Sequence, residues 1–165
     1  MPRYRPPQPK SSPYITPEGY SRLQQEQKAL WTRRTEVTRA LSAAAAEGDR
    51  SENAEYIYRK KELRGIDRQI RYLQKRLPEL KVVNTIPDNP RQVFFGAWVT
   101  LEDATGKSHG YRIVGPDEID TRKEYISIDS PMARALLKKN LDDEVIVKTP
   151  KGAMHYWITA VRYSG

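Results

Sequence analysis

The stretch Ala46-Glu47-Gly48-Asp49-Arg50-Ser51-Glu52-Asn53 decides how the chain is organised, because two apolar stripes run away from it in opposite directions. On its N-terminal side Leu23, Gln27, Leu30, Arg34, Val37, Leu41 and Ala44 recur at alternating steps of four and three, and Trp31 widens the stripe. On its C-terminal side Tyr56, Lys60, Leu63, Ile66, Ile70, Leu73 and Leu77 keep the same rhythm. The stripes mirror each other about position 50, matching Leu23 with Leu77, Leu30 with Ile70 and Val37 with Leu63. A seven-residue rhythm puts its apolar positions on one side of a helix, and two mirrored stripes predict an antiparallel coiled-coil hairpin.

Signals at both ends agree with that reading. Thr16 can cap a helix, Pro17 has the backbone angle of a first helical residue, and Glu18 complements the positive end of the helix dipole. Pro78 stops the second helix, since it lacks an N–H and crowds the preceding turn. A first helix of roughly 30 residues is about 45 Å long, so the bend stands far from the rest of the protein. Within the bend Gly48 suits a left-handed turn, and Asp49 or Ser51 can cap the second helix.

These limits divide the chain into four parts. Residues 1–13 hold five prolines with Arg3, Arg5 and Lys10 and no apolar period, and are expected to be a disordered basic tail. The hairpin spans 14–78, and a linker over 79–92 carries Pro87 and Pro90. Residues 93–165 form a second domain, with strands expected at 93–102, 111–114, 124–129, 144–148 and 155–162. Gly106 and Pro150-Lys151-Gly152 supply turns, and Ser130-Pro131 starts a short helix through Lys139. The fold class is therefore α+β, a coiled-coil hairpin followed by a small, mainly antiparallel domain.

Composition narrows the chemistry. The chain has 165 residues and no cysteine, which excludes disulfides, zinc–thiolate sites, iron–sulfur clusters and thiol nucleophiles. No stretch has the roughly 18 to 20 apolar residues of a membrane span, so a cytoplasmic protein without membrane contact is expected. The net charge of +8 is unevenly spread. Residues 1–81 carry eighteen basic and ten acidic side chains, whereas 82–165 carry eleven of each. The first half is thus suited to a polyanion such as nucleic acid, the alternative being an Arg-rich solvated helix surface.

Two features of the hairpin carry chemistry. Asp49 and Glu52 stand on the bend of a long basic arm, where two carboxylates can serve a Mg²⁺ whose other ligands come from a partner. The same spacing also fits a capping box, with Asp49 as cap and Glu52 three residues on. The second helix bears Arg59, Lys60, Lys61, Arg64, Arg68, Arg71, Lys75 and Arg76 against Glu62 and Asp67, a ribbon dense enough for a phosphate backbone. Lys60 lies on the projected seam as well, which leaves the face open. Tyr56 reads as core, while Tyr58 can stack on a base. Gly106-Lys107-Ser108 lacks the first glycine of a phosphate loop, His109 and His155 are isolated, and Ser130 has no nucleophile elbow, so each reads as structural.

The bend Gly48-Asp49-Arg50-Ser51-Glu52-Asn53-Ala54-Glu55-Tyr56, together with Ile128-Asp129-Ser130-Pro131-Met132-Ala133-Arg134-Ala135-Leu136-Leu137, resembles the bacterial Gre transcript cleavage factors. The basic second helix and Val93-Phe94-Phe95-Gly96-Ala97-Trp98-Val99 look like the GreB branch, and the likeness covers roughly 14–163. The resemblance implies an FKBP-like C-terminal domain, without isomerase activity, that docks on RNA polymerase at the mouth of its secondary channel. The hairpin reaches down that channel, where Asp49 and Glu52 help hold Mg²⁺ at the polymerase active centre while the polymerase cuts the backtracked RNA.

Under this resemblance the factor is an accessory and not itself an enzyme, a monomer whose partners are RNA polymerase and the nascent RNA 3′ segment. The isolated protein is expected to hold no metal. Arg59, Lys60, Arg64 and Arg68 are expected to guide the RNA, and Ser130, Pro131, Ala133 and Arg134 to lie near the polymerase contact. The alternatives are a secondary-channel regulator without cleavage activity and a basic coiled coil that binds nucleic acid directly.

Overall fold

The structure, a computed structural model, describes residues 11–47 and 53–163. Asp49, Glu52, Gly48 and Ser51, and the expected tail up to residue 10, lie outside the described residues. Glu18–Leu80 forms one compact unit, and the segment up to Pro17 with Lys81–Gly165 forms the other.

The chain opens with strand β1 (Tyr14–Ile15) and the helices α1 (Pro17–Ala45) and α2 (Ala54–Arg76). Pro17 heads α1, and α2 ends where Pro78 forces the tighter turn Leu77–Glu79, both as the sequence predicts. The hairpin core is Val37, Ile66 and Ile70 with Leu30 and Leu63 packed on it, and Leu23, Ala44, Leu73 and Leu77 are also buried. Polar pairs fix the antiparallel register: Arg33 to Glu62 at 2.6 Å, Arg34 to Asp67 at 2.7 Å and Gln69 to Glu26 at 3.2 Å.

Three expectations for the hairpin need correction. Trp31 does not widen the seam, since it is 46% exposed. Lys60 is exposed, and the seam position falls to Arg59, which keeps steps of three and four from Tyr56 to Leu63. Arg59 suits that place because its aliphatic stem can lie along the apolar edge while its head pairs with Glu55 at 2.8 Å and Glu62 at 3.2 Å. The cap of α2 is neither Asp49 nor Ser51. It is Asn53, whose side chain accepts from the Tyr56 amide at 3.1 Å.

In the other unit β2 (Lys81–Val82) pairs in parallel with β1, Tyr14 opposite Lys81 and Ile15 opposite Val82. The sequence reading gave the first of these segments to the hairpin and the second to a linker. Two-residue strands are too short to show a period, and their pairing joins positions far apart in the chain. The main sheet comprises β3 (Trp98–Asp103), β4 (Ser108–Val114), β5 (Tyr125–Ser127), β6 (Glu144–Thr149) and β7 (Gly152–Arg162), with α3 (Pro131–Leu136) before β6. Its order is β5-β4-β3-β7-β6, antiparallel except for the β4–β5 pair. Val99, Leu101, Ile113, Val145, Val147 and Ile158 meet Ala133 and Leu136 of α3 in its core.

The expected strand at 93–102 is shortened to β3, because Gly96 turns the chain with φ +86° before Ala97. The helix from Ser130 likewise stops at Leu136, and Lys138 takes φ +67° just beyond it. Segment 12–16 is held by the same unit. Ser12 donates to Asp129 through its amide and hydroxyl, Ile15 is fully buried, and the Thr16 amide and hydroxyl donate to Glu118.

Candidate functional site

Arginine, lysine and carboxylate side chains sort themselves along α2 according to which can reach a partner. The described acids of that helix are all engaged: Glu55 by Arg59, Glu62 by Arg33 and Arg59, and Asp67 by Arg34. Hydrogen bonds to Glu55 and Glu62 respectively hold the Arg59 and Arg33 guanidinium groups above their ordinary pKa. Lys61, Arg64, Arg68, Arg71 and Lys75 are exposed and form no salt bridge with a described carboxylate. Lys60 is exposed as well, its ammonium 5.6 Å from the Tyr56 ring centroid. Positive charge is therefore left uncompensated on one side of α2, as a polyanion contact requires.

Of the four expected RNA-guiding residues, Lys60, Arg64 and Arg68 belong to that face. Arg59 is set apart by its two ion pairs and by its guanidinium lying 5.4 Å from the Tyr58 ring centroid. Near the bend the apolar residues Ile57 and Tyr58 are 53% and 60% exposed, and a groove lined by Tyr56, Ile57, Lys60, Lys61 and Arg64 opens beside them. A second groove, lined by Lys61, Arg64, Asp67, Arg68 and Arg71, continues it along the helix.

Asp49 and Glu52 lie outside the described residues, but what borders them is defined. Asn53 accepts from the Tyr56 amide and donates through Nδ2 to the Ala44 carbonyl at 2.7 Å. One side chain thus starts α2 and ties it to the end of α1. Because Asn53 fills the cap, the capping-box reading of Asp49 with Glu52 loses its helix start. The sequence reading overlooked Asn53, although its amide, donor and acceptor at once, can make both bonds.

The four expected docking residues take different places. Ser130 caps α3 by accepting from the Ala133 amide at 3.2 Å, and Pro131 follows as the first helical residue. Ala133 is fully buried in the core, so it serves packing and presents no surface. Pro131 and Arg134 are exposed. Glu118, unnoticed in the sequence, is 1% exposed and accepts from the Thr16 and Gly115 amides at 3.0 and 2.8 Å.

Comparison with known proteins places this arrangement. Residues 13–82 match the family described as "Transcription elongation factor, N-terminal", and residues 88–163 match "Transcription elongation factor, GreA/GreB, C-term". The chain belongs to the GreA/GreB family of transcription elongation factors. It is 58% identical to "Transcription elongation factor GreB" of Pseudomonas aeruginosa over 99% of this chain and 98% of that protein. Its identity to the protein of that name from Xanthomonas axonopodis pv. citri is also 58%, over 99% of both. A crystal structure of GreA factor homolog 1 from Thermus thermophilus is 26% identical, covering 90% of this chain and 97% of that one, with a TM-score of 0.41.

The boundary between the two family matches falls in 83–87, just past β2. In this GreA/GreB member the N-terminal match thus takes in β1, both helices and β2, and the C-terminal match the whole main sheet with α3. No helix among the described residues is long and apolar enough to cross a membrane.

Proposed function

We propose that this elongation factor binds bacterial RNA polymerase through its secondary channel and stimulates endonucleolytic cleavage of the 3′ end of backtracked nascent RNA, in the cytoplasm and as a monomer. The observation that carries the reading is the state of α2, whose described carboxylates are all engaged while Lys60, Lys61, Arg64, Arg68 and Arg71 stay exposed on an arm bearing Asp49 and Glu52 at its bend. Lys60, Arg64 and Arg68 contact the phosphates of the extruded RNA. Pro131 and Arg134 lie at the polymerase contact, with Ser130 and Ala133 shaping the helix that presents them.

Asp49 and Glu52 offer carboxylate oxygens, the donor type Mg²⁺ takes, and one or two such ligands suffice when a partner supplies the rest. When bound, that ion would orient and activate the water that attacks the phosphodiester. The factor is not itself an enzyme in this reading, since the remaining machinery is the polymerase's. Its own residues bring the acids to the site and steer the RNA.

The test uses stalled, backtracked elongation complexes carrying 5′-labelled RNA. Wild type shortens the RNA, whereas Asp49→Ala and Glu52→Ala lose this activity and still compete with wild type for polymerase. Cleavage retained in both variants would overturn the assignment of the acids. Polymerase binding without any wild-type cleavage would favour the regulator.

A further inference from the structure

Trp31 is among the large aromatic side chains that the seam of the hairpin leaves uncovered. Trp31 is 46% exposed on α1, although Ile70 across from it is already 3% exposed and needs no further cover. It lines an open groove of about 450 Å³ between the two helices, with Arg34, Asp67, Ile70, Arg71 and Gln74. Binding sites for small organic groups commonly measure about 300–1,000 Å³, so the groove has room for a planar heterocycle. Arg34 is not free to take a ligand's charge, because Asp67 holds it at 2.7 Å while its guanidinium sits 6.0 Å from the Trp31 ring centroid. Arg71 is exposed and forms no salt bridge with a described carboxylate.

This groove also ends a series. It shares Asp67 and Arg71 with the groove lined by Lys61, Arg64 and Arg68, which in turn shares Lys61 and Arg64 with the groove beside Tyr56 and Ile57. From Ile57 to Gln74 the track runs about 26 Å along α2. Its middle is guanidinium and ammonium, suited to phosphates, and its end away from the bend adds a half-exposed indole with an amide and an arginine beside it. Successive cations along a track followed by an aromatic platform match a single strand of nucleic acid, whose backbone is anionic and whose bases have π-faces.

We infer that the interhelical groove at Trp31 binds one nucleobase of single-stranded RNA, stacked on the indole with Arg71 on the adjoining phosphate. The inference rests on the proposed function, in which RNA follows the basic face of α2, and adds a fixed stop to that path. An acidic polypeptide segment would also meet the cations, but a nucleic acid strand carries a planar ring on every anionic unit, which fits a run of cations ending in an indole and favours RNA.

The test measures equilibrium binding of the full-length protein to an oligoribonucleotide of about ten residues and to an abasic sugar–phosphate strand of equal length and charge. Wild type binds the base-bearing strand more tightly. Trp31→Ala weakens that binding by about 5- to 150-fold, the range expected for one aromatic–base stack, and leaves abasic binding unchanged. Trp31→Phe restores most of the difference, which a folding defect would not allow, and helix content by circular dichroism checks both variants. Arg71→Ala weakens binding to both strands. If Trp31→Ala binds both strands as wild type does while Lys61→Ala and Arg64→Ala still weaken them, the groove is not an RNA site and the proposed function stands. Wild type that does not distinguish the strands overturns the inference equally. Failure of the proposed function shows separately, as absence of RNA shortening in the backtracked complexes.

Discussion

Replacing Asn53 by alanine isolates the joint that holds the two helices together at the bend. The side chain makes two bonds, accepting from the Tyr56 amide at 3.1 Å and donating to the Ala44 carbonyl at 2.7 Å. Loss of a helix cap costs about 0.5–2 kcal/mol, and a second hydrogen bond adds about 0.5–1.5 kcal/mol. The two contributions share one side chain and a half-buried site, so Asn53→Ala should destabilise the end of the hairpin by about 1–3 kcal/mol. Asn53→Asp separates them. The carboxylate keeps the cap on the Tyr56 amide but turns an acceptor toward the Ala44 carbonyl, so it should fall between wild type and alanine. Native-state hydrogen exchange reads this locally: the Tyr56 amide loses protection in Asn53→Ala but keeps it in Asn53→Asp, and the Ile57 amide, bonded to the Asn53 carbonyl at 3.1 Å, reports fraying of the first turn. In the backtracked-complex assay Asn53→Ala should slow RNA shortening although Asp49 and Glu52 are intact. Wild-type protection at both Tyr56 and Ile57 in Asn53→Ala would refute the reasoning, because the first turn of α2 would then not depend on this side chain.

Two further outcomes follow from the globular unit. A Cβ on Gly115 would stand 1.9 Å from the Tyr14 carbonyl oxygen, a backbone atom that cannot swing away, so Gly115→Ala should destabilise this unit by about 2 kcal/mol or more and release segment 12–16; thermal unfolding with exchange at the Thr16 amide checks it, and an unchanged midpoint would refute it. The Asp103 carboxyl is held well below the usual carboxylate range by the Thr105 hydroxyl and His109, with further bonds from the Lys107 and Thr105 amides, so its contribution to the β3–β4 turn is fully present above the ordinary carboxylate pKa of about 3.9 and is lost as pH falls through the lowered value. The Thr105 and Lys107 amide resonances should stay flat in an acid titration down to about pH 4 and move only below it, with no such step in Asp103→Asn; a midpoint at or above the ordinary value would refute the assignment.

The hairpin was legible because its stripes are long enough to have a period and a mirror centre, and the observed pairs Arg34–Asp67 and Arg33–Glu62 keep that register. What failed was resolution to a single residue. From Tyr56 a step of three reaches Arg59 and a step of four reaches Lys60, and periodicity treats the two alike. The decision came from Glu55 and Glu62, which pair with Arg59 within one helix. Trp31 failed for the opposite reason: its neighbour Leu30 already packs on the seam, so an indole next to it had to turn outward. The turns of the second domain were readable from Gly106 and Gly152, with φ +86° and +114°, whereas β1 and β2, two residues each, had no pattern to show.

Charge gives the clearest case of a property that sequence states and structure explains. The excess of basic residues in the first half is a count, and a count cannot separate a solvated helix surface from a face built for a polyanion. The distinction lies in where the acids go. Had Asp67 turned to Arg64 or Arg71 along α2, it would have made an i,i+3 or i,i+4 pair and weakened the field of that face. Instead Asp67 reaches Arg34 and Glu62 reaches Arg33 on α1, which ties the helices together and removes negative charge from the outer face of α2 in the same contacts. The Asp67–Arg34 pair that helps hold the register is therefore also what leaves Arg64 and Arg71 unneutralised, while Arg68 has no acid three or four residues away. Exposed pairs of this kind add little stability one by one, so their placement matters more for the field along α2 than for the strength of the hairpin.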